Sequence, residues 1–134
     1  MPRVLIVEDN DSERDALSRR LVRQGFEISV ASDGAGAIER ARMESPDIIL
    51  MDCSLPDIDG WEAARRLKAD PGTQSIPIIA LTSQGVPDES ERALDAGCND
   101  VDTKPLDIPR LIGKIHRALG LPDRTRSLPP RGDG

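Results

Sequence analysis

Glu8, Asp9, Asp52, Thr82 and Lys104 hold the chemical interest of this 134-residue chain. Asp9, Asp52, Thr82 and Lys104 each lie at the end of a short run of strand character. Carboxylates, a hydroxyl and an ammonium brought to one place are the parts that phosphoryl chemistry on a carboxylate uses. Glu8 and Asp9 beside Asp52 would crowd carboxylates into one crevice, where mutual repulsion calls for a cation. Mg2+ suits such a place: it is a hard ion that prefers oxygen ligands and takes one or two carboxylates with phosphate oxygens, and no His or Cys joins the cluster to suggest zinc. Taken singly, the residues have plainer readings. Glu8-Asp9-Asn10-Asp11 serves equally well to cap a following helix, and Lys104 alone is an ordinary surface lysine. Asp52 has fewer structural excuses, because it closes a wholly apolar stretch.

These side chains meet only if the runs are parallel strands of one sheet. Strand-length runs alternate five times with amphipathic helix-length segments, which is the pattern of repeated βα units. Expected strands are residues 3–7, a half-exposed edge strand in which Phe26, Ile28 and Val30 alternate with Glu27 and Ser29, two covered strands at 48–51 and 76–81, and a short one at 100–103. Pro77 near the start of its run is tolerable, since only the first strand residues can lose a ladder donor. Asn10 or Asp11 caps the first helix and Gly25 sits just past its end. Further helices are expected near 34–44, 61–69, 87–96 and 108–119, with Ser45-Pro46, Asp70-Pro71-Gly72 and Ala96-Gly97 as breakers. Right-handed crossovers then put helices on both faces, and ligands of such sheets bind outside the carboxyl ends of the strands.

Composition narrows the class. Lys and Arg total 18 against 24 Asp and Glu, a net charge of −6, and no long basic block is present to track a phosphate backbone, so direct nucleic-acid binding is not expected. The apolar stretches fall far short of the roughly 20 residues of a membrane span, and the N-terminus meets acid too early for a signal peptide. A soluble cytoplasmic protein is the expectation. Cys53 and Cys98 read as buried thiols. One domain is expected over residues 1–120, followed by a tail or linker at 121–134 that lacks periodicity, in which Arg131-Gly132-Asp133 is a chance tripeptide.

Together these residues resemble the receiver domains of two-component response regulators, over roughly residues 3–120. The resemblance rests on Val4-Leu5-Ile6-Val7-Glu8-Asp9-Asn10, on Met51-Asp52-Cys53-Ser54-Leu55-Pro56-Asp57-Ile58-Asp59-Gly60, on Ala80-Leu81-Thr82-Ser83 and on Thr103-Lys104-Pro105, in order and at matching spacings. It implies an α/β fold, a doubly wound five-stranded parallel sheet in the order 2-1-3-4-5 with five helices. It further implies Asp52 as phosphoacceptor, and Glu8 and Asp9 as an acidic pair that, with Asp52 and the Ser54 carbonyl, holds Mg2+. Thr82 would follow the phosphoryl group and Lys104 would pair with it, next to a cis Lys104-Pro105 bond. The implied donor is a histidine kinase or histidine phosphotransfer protein. The implied output is phosphorylation-dependent binding of a further protein, by a monomer or a weak phosphorylation-dependent dimer, without enzymatic turnover of other substrates. The chain departs from the resemblance at Val101, where most receivers carry a Tyr or Phe that swings inward, so a smaller or differently routed change is expected.

Two other classes compete. A Mg2+-dependent aspartyl-phosphate phosphatase needs a second acid two residues after its nucleophile, where this chain has Ser54. A degenerate receiver used only as a binding scaffold fits poorly with retention of Glu8, Asp9, Asp52, Thr82 and Lys104. Of the rest, His116 reads as a surface or dipole-complementing residue near a helix end, Asp102 as a solvated charge, Trp61 as a packing residue, and Pro56, Asp57 and Gly60 as turn residues.

Overall fold

A computed structural model describes residues 1–55, 60–83 and 88–121 of the chain. Strands β1 (Arg3–Val7), β2 (Glu27–Ala31), β3 (Ile48–Asp52), β4 (Ile78–Thr82) and β5 (Asp100–Thr103) alternate with helices α1 (Asp11–Arg23), α2 (Gly34–Glu44), α3 (Gly60–Ala69), α4 (Glu89–Asp95) and α5 (Ile108–Leu119). The strands form one sheet in the order β2-β1-β3-β4-β5, every neighbouring pair parallel, as the alternating pattern and the resemblance predict.

Strand periodicity sorts the core into two layers. Leu5, Val7, Ile49, Met51, Ile78 and Ala80 face one way, against Ala37 and Ala41 of α2, Ala63 and Leu67 of α3, and Ala93 of α4. Val4, Ile6, Ile48, Leu50, Ile79 and Leu81 face the other way, against Leu17 and Leu21 of α1 and Leu111, Ile112 and Ile115 of α5. Such side chains contribute about 1.5–3 kcal/mol each when fully buried. Burial on both faces explains why β3 and β4 read as continuous apolar runs. Edge strand β2 alternates instead, and Phe26, just ahead of it, is 3% exposed.

Local chemistry sets the helix ends. The side chains of Asn10, Asp33 and Asp107 accept from the N–H groups of Glu13 (2.9 Å), Gly36 (2.7 Å) and Arg110 (3.0 Å), each such cap being worth about 1 kcal/mol. Gly25 (φ +94°) and Gly120 (φ +71°) supply the left-handed residues beyond α1 and α5.

Several expectations shift. β4 begins at Ile78 rather than at residue 76, because Pro77 has no N–H to place in the ladder; its carbonyl still accepts from Ile49 N at 2.9 Å. His116 stands in the last turn of α5, as its dipole-complementing reading expects, and is half-buried there, its ring packing on Phe26 with centroids 5.9 Å apart. α4 spans only Glu89–Asp95, and Pro87, Pro56, Asp57 and the expected tail or linker beyond Leu121 lie outside the described residues. Cys53 and Cys98 are buried as expected. Among the described residues no helix is long and apolar enough to cross a membrane.

Candidate functional site

Parallel register brings the carboxyl ends of the strands to one edge. Val7 pairs with Met51, Asp52 with Leu81, and Thr82 with Thr103, so Glu8, Asp52, Thr82 and Lys104 follow or end adjacent strands. Carboxylate oxygens of Glu8, Asp9 and Asp52 all lie within 4.8 Å of one another, with Asp9 exposed and the other two buried. Glu8 is 4% and Asp52 5% exposed, so two ionisable acids sit where water screens them poorly.

Lys104 answers that charge. Its Nζ donates to Glu8 Oε1 at 2.7 Å, to Asp52 Oδ2 at 3.3 Å and to Glu13 Oε1 at 3.3 Å. The remaining oxygens are met by backbone: Asp52 Oδ1 accepts from Ser54 N at 3.0 Å and Glu8 Oε2 from Asn10 N at 3.1 Å. Burial pushes the Glu8 carboxyl up to about 7; the bonds from Lys104 and Asn10 pull it down, and the Asp52 charge pushes it up again. For Lys104 burial acts downward, but Glu8 and Asp52 outweigh it and hold the ammonium well above its ordinary range.

The expected residues do not all converge equally. Glu8, Asp9, Asp52 and Lys104 meet as anticipated, with Ser54 entering through its backbone. Thr82 stands on the same edge, 2% exposed, but its hydroxyl is directed to β5, donating to the Asp102 carbonyl at 3.3 Å and lying 3.2 Å from Thr103 Oγ1. The Lys104-Pro105 bond is cis, as the resemblance implied. Val101 packs half-buried against the core layer under α2, α3 and α4, and its carbonyl accepts from Lys114 Nζ.

Asp102 corrects the sequence reading. Rather than a solvated charge it is 3% exposed, because strand alternation turns it inward beneath α5. There Asp102 Oδ1 accepts from Arg110 Nε (3.0 Å), Arg110 Nη2 (2.7 Å) and Thr103 N (2.9 Å). Gly60 is likewise more than a turn residue. It opens α3, and a Cβ there would lie 2.9 Å from Cys53 Cα and against the Asp52 carbonyl, so only glycine lets α3 start this close to the site.

Sequence reasoning overlooked Glu13 and Glu89. Glu13 sits in the first turn of α1, three residues after the Asn10 cap, a spacing that aims it back toward the site. Glu89, 7% exposed, accepts from Ser83 N through Oε1 at 2.6 Å and, through its carbonyl, from Trp61 Nε1 at 3.3 Å. Arg92 stacks over the Trp61 ring, 4.1 Å from its centroid, in keeping with the packing role expected for Trp61. These contacts tie the end of β4 to α4 and α3.

Comparisons with known proteins agree with this geometry. The sequence model of the response regulator receiver domain matches residues 4–116. DivK, a polar-differentiation response regulator of Brucella anthropi, is 36% identical over 121 residues, covering 90% of this chain and 98% of DivK. RpaA, a DNA-binding transcriptional regulator of Synechocystis, is 33% identical over 92% of this chain, which spans only 52% of RpaA. The chain likewise spans only 25% of the response regulator PleD of Caulobacter vibrioides, to which it is 34% identical. A response regulator from Chloroflexus aurantiacus superposes with a TM-score of 0.86 at 31% identity, covering 89% of this chain and 98% of the other. The receiver domain of the sensor histidine kinase PA1611 from Pseudomonas aeruginosa, with a magnesium ion in its active-site cleft, superposes with a TM-score of 0.83 at 34% identity, covering 89% and 98%. A family match over residues 4–116, most of the chain, places this protein in the response regulator receiver domain family.

Proposed function

We propose that Asp52 is the phosphoacceptor of this receiver, taking a phosphoryl group from a phosphohistidine of a histidine kinase or histidine phosphotransfer protein. The observation that carries this reading is the Asp52 carboxylate itself: 5% exposed, anchored through Oδ1 by Ser54 N and paired through Oδ2 with Lys104. A carboxylate so held keeps its attacking oxygen in a fixed direction, which is the main service a protein renders to phosphoryl transfer.

The donor set suits a hard divalent cation, since three carboxylates offer oxygens within 4.8 Å of one another and burial penalises the charged form of Glu8. Glu8, Asp9, Asp52 and the Ser54 carbonyl would hold Mg2+. When bound, the ion neutralises charge on the transferring phosphoryl oxygens. The chain's own residues do the rest. An Asp52 oxygen forms the new O–P bond as the P–N bond to the donor imidazole breaks, and the electron pair leaves with the imidazole. Lys104 turns from a carboxylate partner to a phosphoryl oxygen, gaining a charge-assisted hydrogen bond. Thr82 must exchange the Asp102 carbonyl and the Thr103 hydroxyl for the phosphoryl group, which loosens its tie to β5. With Val101 packed in place of an aromatic ring, the change passes through β5 and the Ser83–Glu89 contact to α4, and output is binding of a further protein.

Residues 1–120 form the receiver and 121–134 a tail or linker, in a cytoplasmic protein that is a monomer or weakly dimerises on phosphorylation. Ser54 stands where a phosphatase of the aspartyl-phosphate class needs its second acid, which argues against turnover of external phosphate esters. Incubation with acetyl phosphate and Mg2+ followed by intact mass tests the reading. Wild type should gain one phosphoryl group and Asp52→Ala none; no gain in wild type, or equal gain in both, refutes it.

A further inference from the structure

An ammonium has three N–H donors, and Lys104 spends all of them on carboxylates: Glu8 at 2.7 Å, Asp52 at 3.3 Å and Glu13 at 3.3 Å. A phosphoryl oxygen arriving on Asp52 must displace one of the three. Glu8 and Asp52 are side chains of 5% and 7% exposure, held in addition by Asn10 N and Ser54 N, whereas the Glu13 side chain is 55% exposed and has its partner only at its tip. An exposed ion pair of this kind is weak, so Glu13 is the partner that yields.

Its position makes the exchange consequential. Glu13, Lys104, Leu17, Arg20, Leu106 and Ile108 line a cleft of about 300 Å³ between α1 and the start of α5, opening beside the acidic cluster. The backbone of Glu13 is fixed there by its N–H bond to the Asn10 cap. Glu8 lines the cleft as well, and Arg20 supplies a second cation on its α1 wall; a phosphodonor that reaches Lys104 meets in Glu13 a carboxylate of its own sign that already occupies the third donor of Lys104.

Resting on the phosphoacceptor reading above, we propose that Glu13 is a positioning residue that restrains Lys104 at the mouth of the site and slows capture of small anionic phosphodonors. Glu13→Gln keeps the length of the side chain, removes its charge and leaves Lys104 a neutral amide oxygen in place of a carboxylate, a weaker partner for the arriving donor to displace. With Glu13 Oε1 at 3.3 Å from Lys104 Nζ and a phosphoryl oxygen about 2.8 Å beyond it, the charges stand about 6 Å apart, where one negative charge opposing a dianion in water amounts to roughly a tenfold difference in rate, reduced to about threefold at physiological ionic strength.

The experiment measures the labelling rate of Asp52 by acetyl phosphate in Mg2+, by intact mass, and the affinity for beryllofluoride in Mg2+ by calorimetry. It compares wild type, Glu13→Gln and Asp15→Asn. Asp15 lies on the same helix and pairs with Arg19 at 2.9 Å, so its neutralisation makes the same change in net charge away from Lys104. Expected are a three- to tenfold faster labelling and a tighter beryllofluoride affinity for Glu13→Gln, a gain that shrinks as salt is raised, and wild-type behaviour for Asp15→Asn. Labelling of Glu13→Gln at or below the wild-type rate, with thermal unfolding unchanged, overturns the proposal while leaving Asp52 as acceptor; so does an equal gain in Asp15→Asn. Wild type that takes up no label overturns the phosphoacceptor reading and this inference with it.

Discussion

The acidic cluster makes the stability of the metal-free protein depend on pH through one residue, Glu8. Burial raises its carboxyl from 4.5 to about 7, so between those values the folded chain binds a proton that the unfolded chain releases. Stability must then fall as pH rises through that window and level off above it, the reverse of the usual carboxylate. Each pKa unit is worth about 1.36 kcal/mol, so the decline amounts to about 3 kcal/mol. Lys104 adds no slope there, because its raised value keeps it protonated throughout and its contribution is lost only in strong alkali. Glu8→Gln has nearly the same size and cannot ionise. Urea unfolding in a chelator, followed by Trp61 fluorescence at about pH 5 and about pH 8, should show wild type losing about 3 kcal/mol and the variant little. With an m-value of about 1–3 kcal/mol/M, the midpoints separate by roughly 1 M or more at the higher pH. Saturating Mg2+, which favours ionised Glu8, should stabilise wild type more at pH 8 than at pH 5. A wild type equally stable at both pH values, or a variant with the wild-type slope, refutes the assignment of the buried proton to Glu8.

Further predictions follow from the packing. Gly60→Ala drives a methyl group to within 2.9 Å of Cys53 Cα and against the Asp52 carbonyl; it should cost about 1–3 kcal/mol in thermal unfolding and reduce Asp52 labelling more than an equally destabilising change in α2. Arg110→Ala strips Asp102 Oδ1 of two hydrogen bonds and should cost about 2–3 kcal/mol, whereas in an Asp102→Leu background the same change should be nearly neutral, as a double-mutant cycle by urea unfolding would show. Glu89→Ala removes the acceptor of Ser83 N and should cost about 1–3 kcal/mol in urea unfolding; the indole N–H of Trp61 keeps its main-chain acceptor at position 89, so Trp61 emission in the folded variant should stay at the wild-type value.

Much of this was legible before any coordinates. Runs such as Ile48–Met51 and the capped segment after Asn10 declare their elements locally, because strand burial on two faces and helix capping are satisfied within a few residues of chain. Asp52 stood out because a charge closing an apolar strand needs an unusual reason. Asp102 was misjudged by the same local logic: beside Asp100 and Lys104 it looks solvated, and the partner that makes its burial tolerable, Arg110, comes from a helix eight residues on. Glu13 and Glu89 were passed over because first-turn acids are ordinary helix chemistry, and nothing local says that one reaches Lys104 and the other Ser83.

Sequence alone therefore determined the order and kind of the elements, the parallel sheet and the chemistry on offer at its edge, since hydrophobic period and residue type act over short distances. Tertiary structure decided which charges became partners. Lys104 meets Glu8 across 96 positions and Asp52 across 52. Only the strand register and the burial it imposes fix those distances, raise the Glu8 carboxyl and turn the Thr82 hydroxyl toward β5.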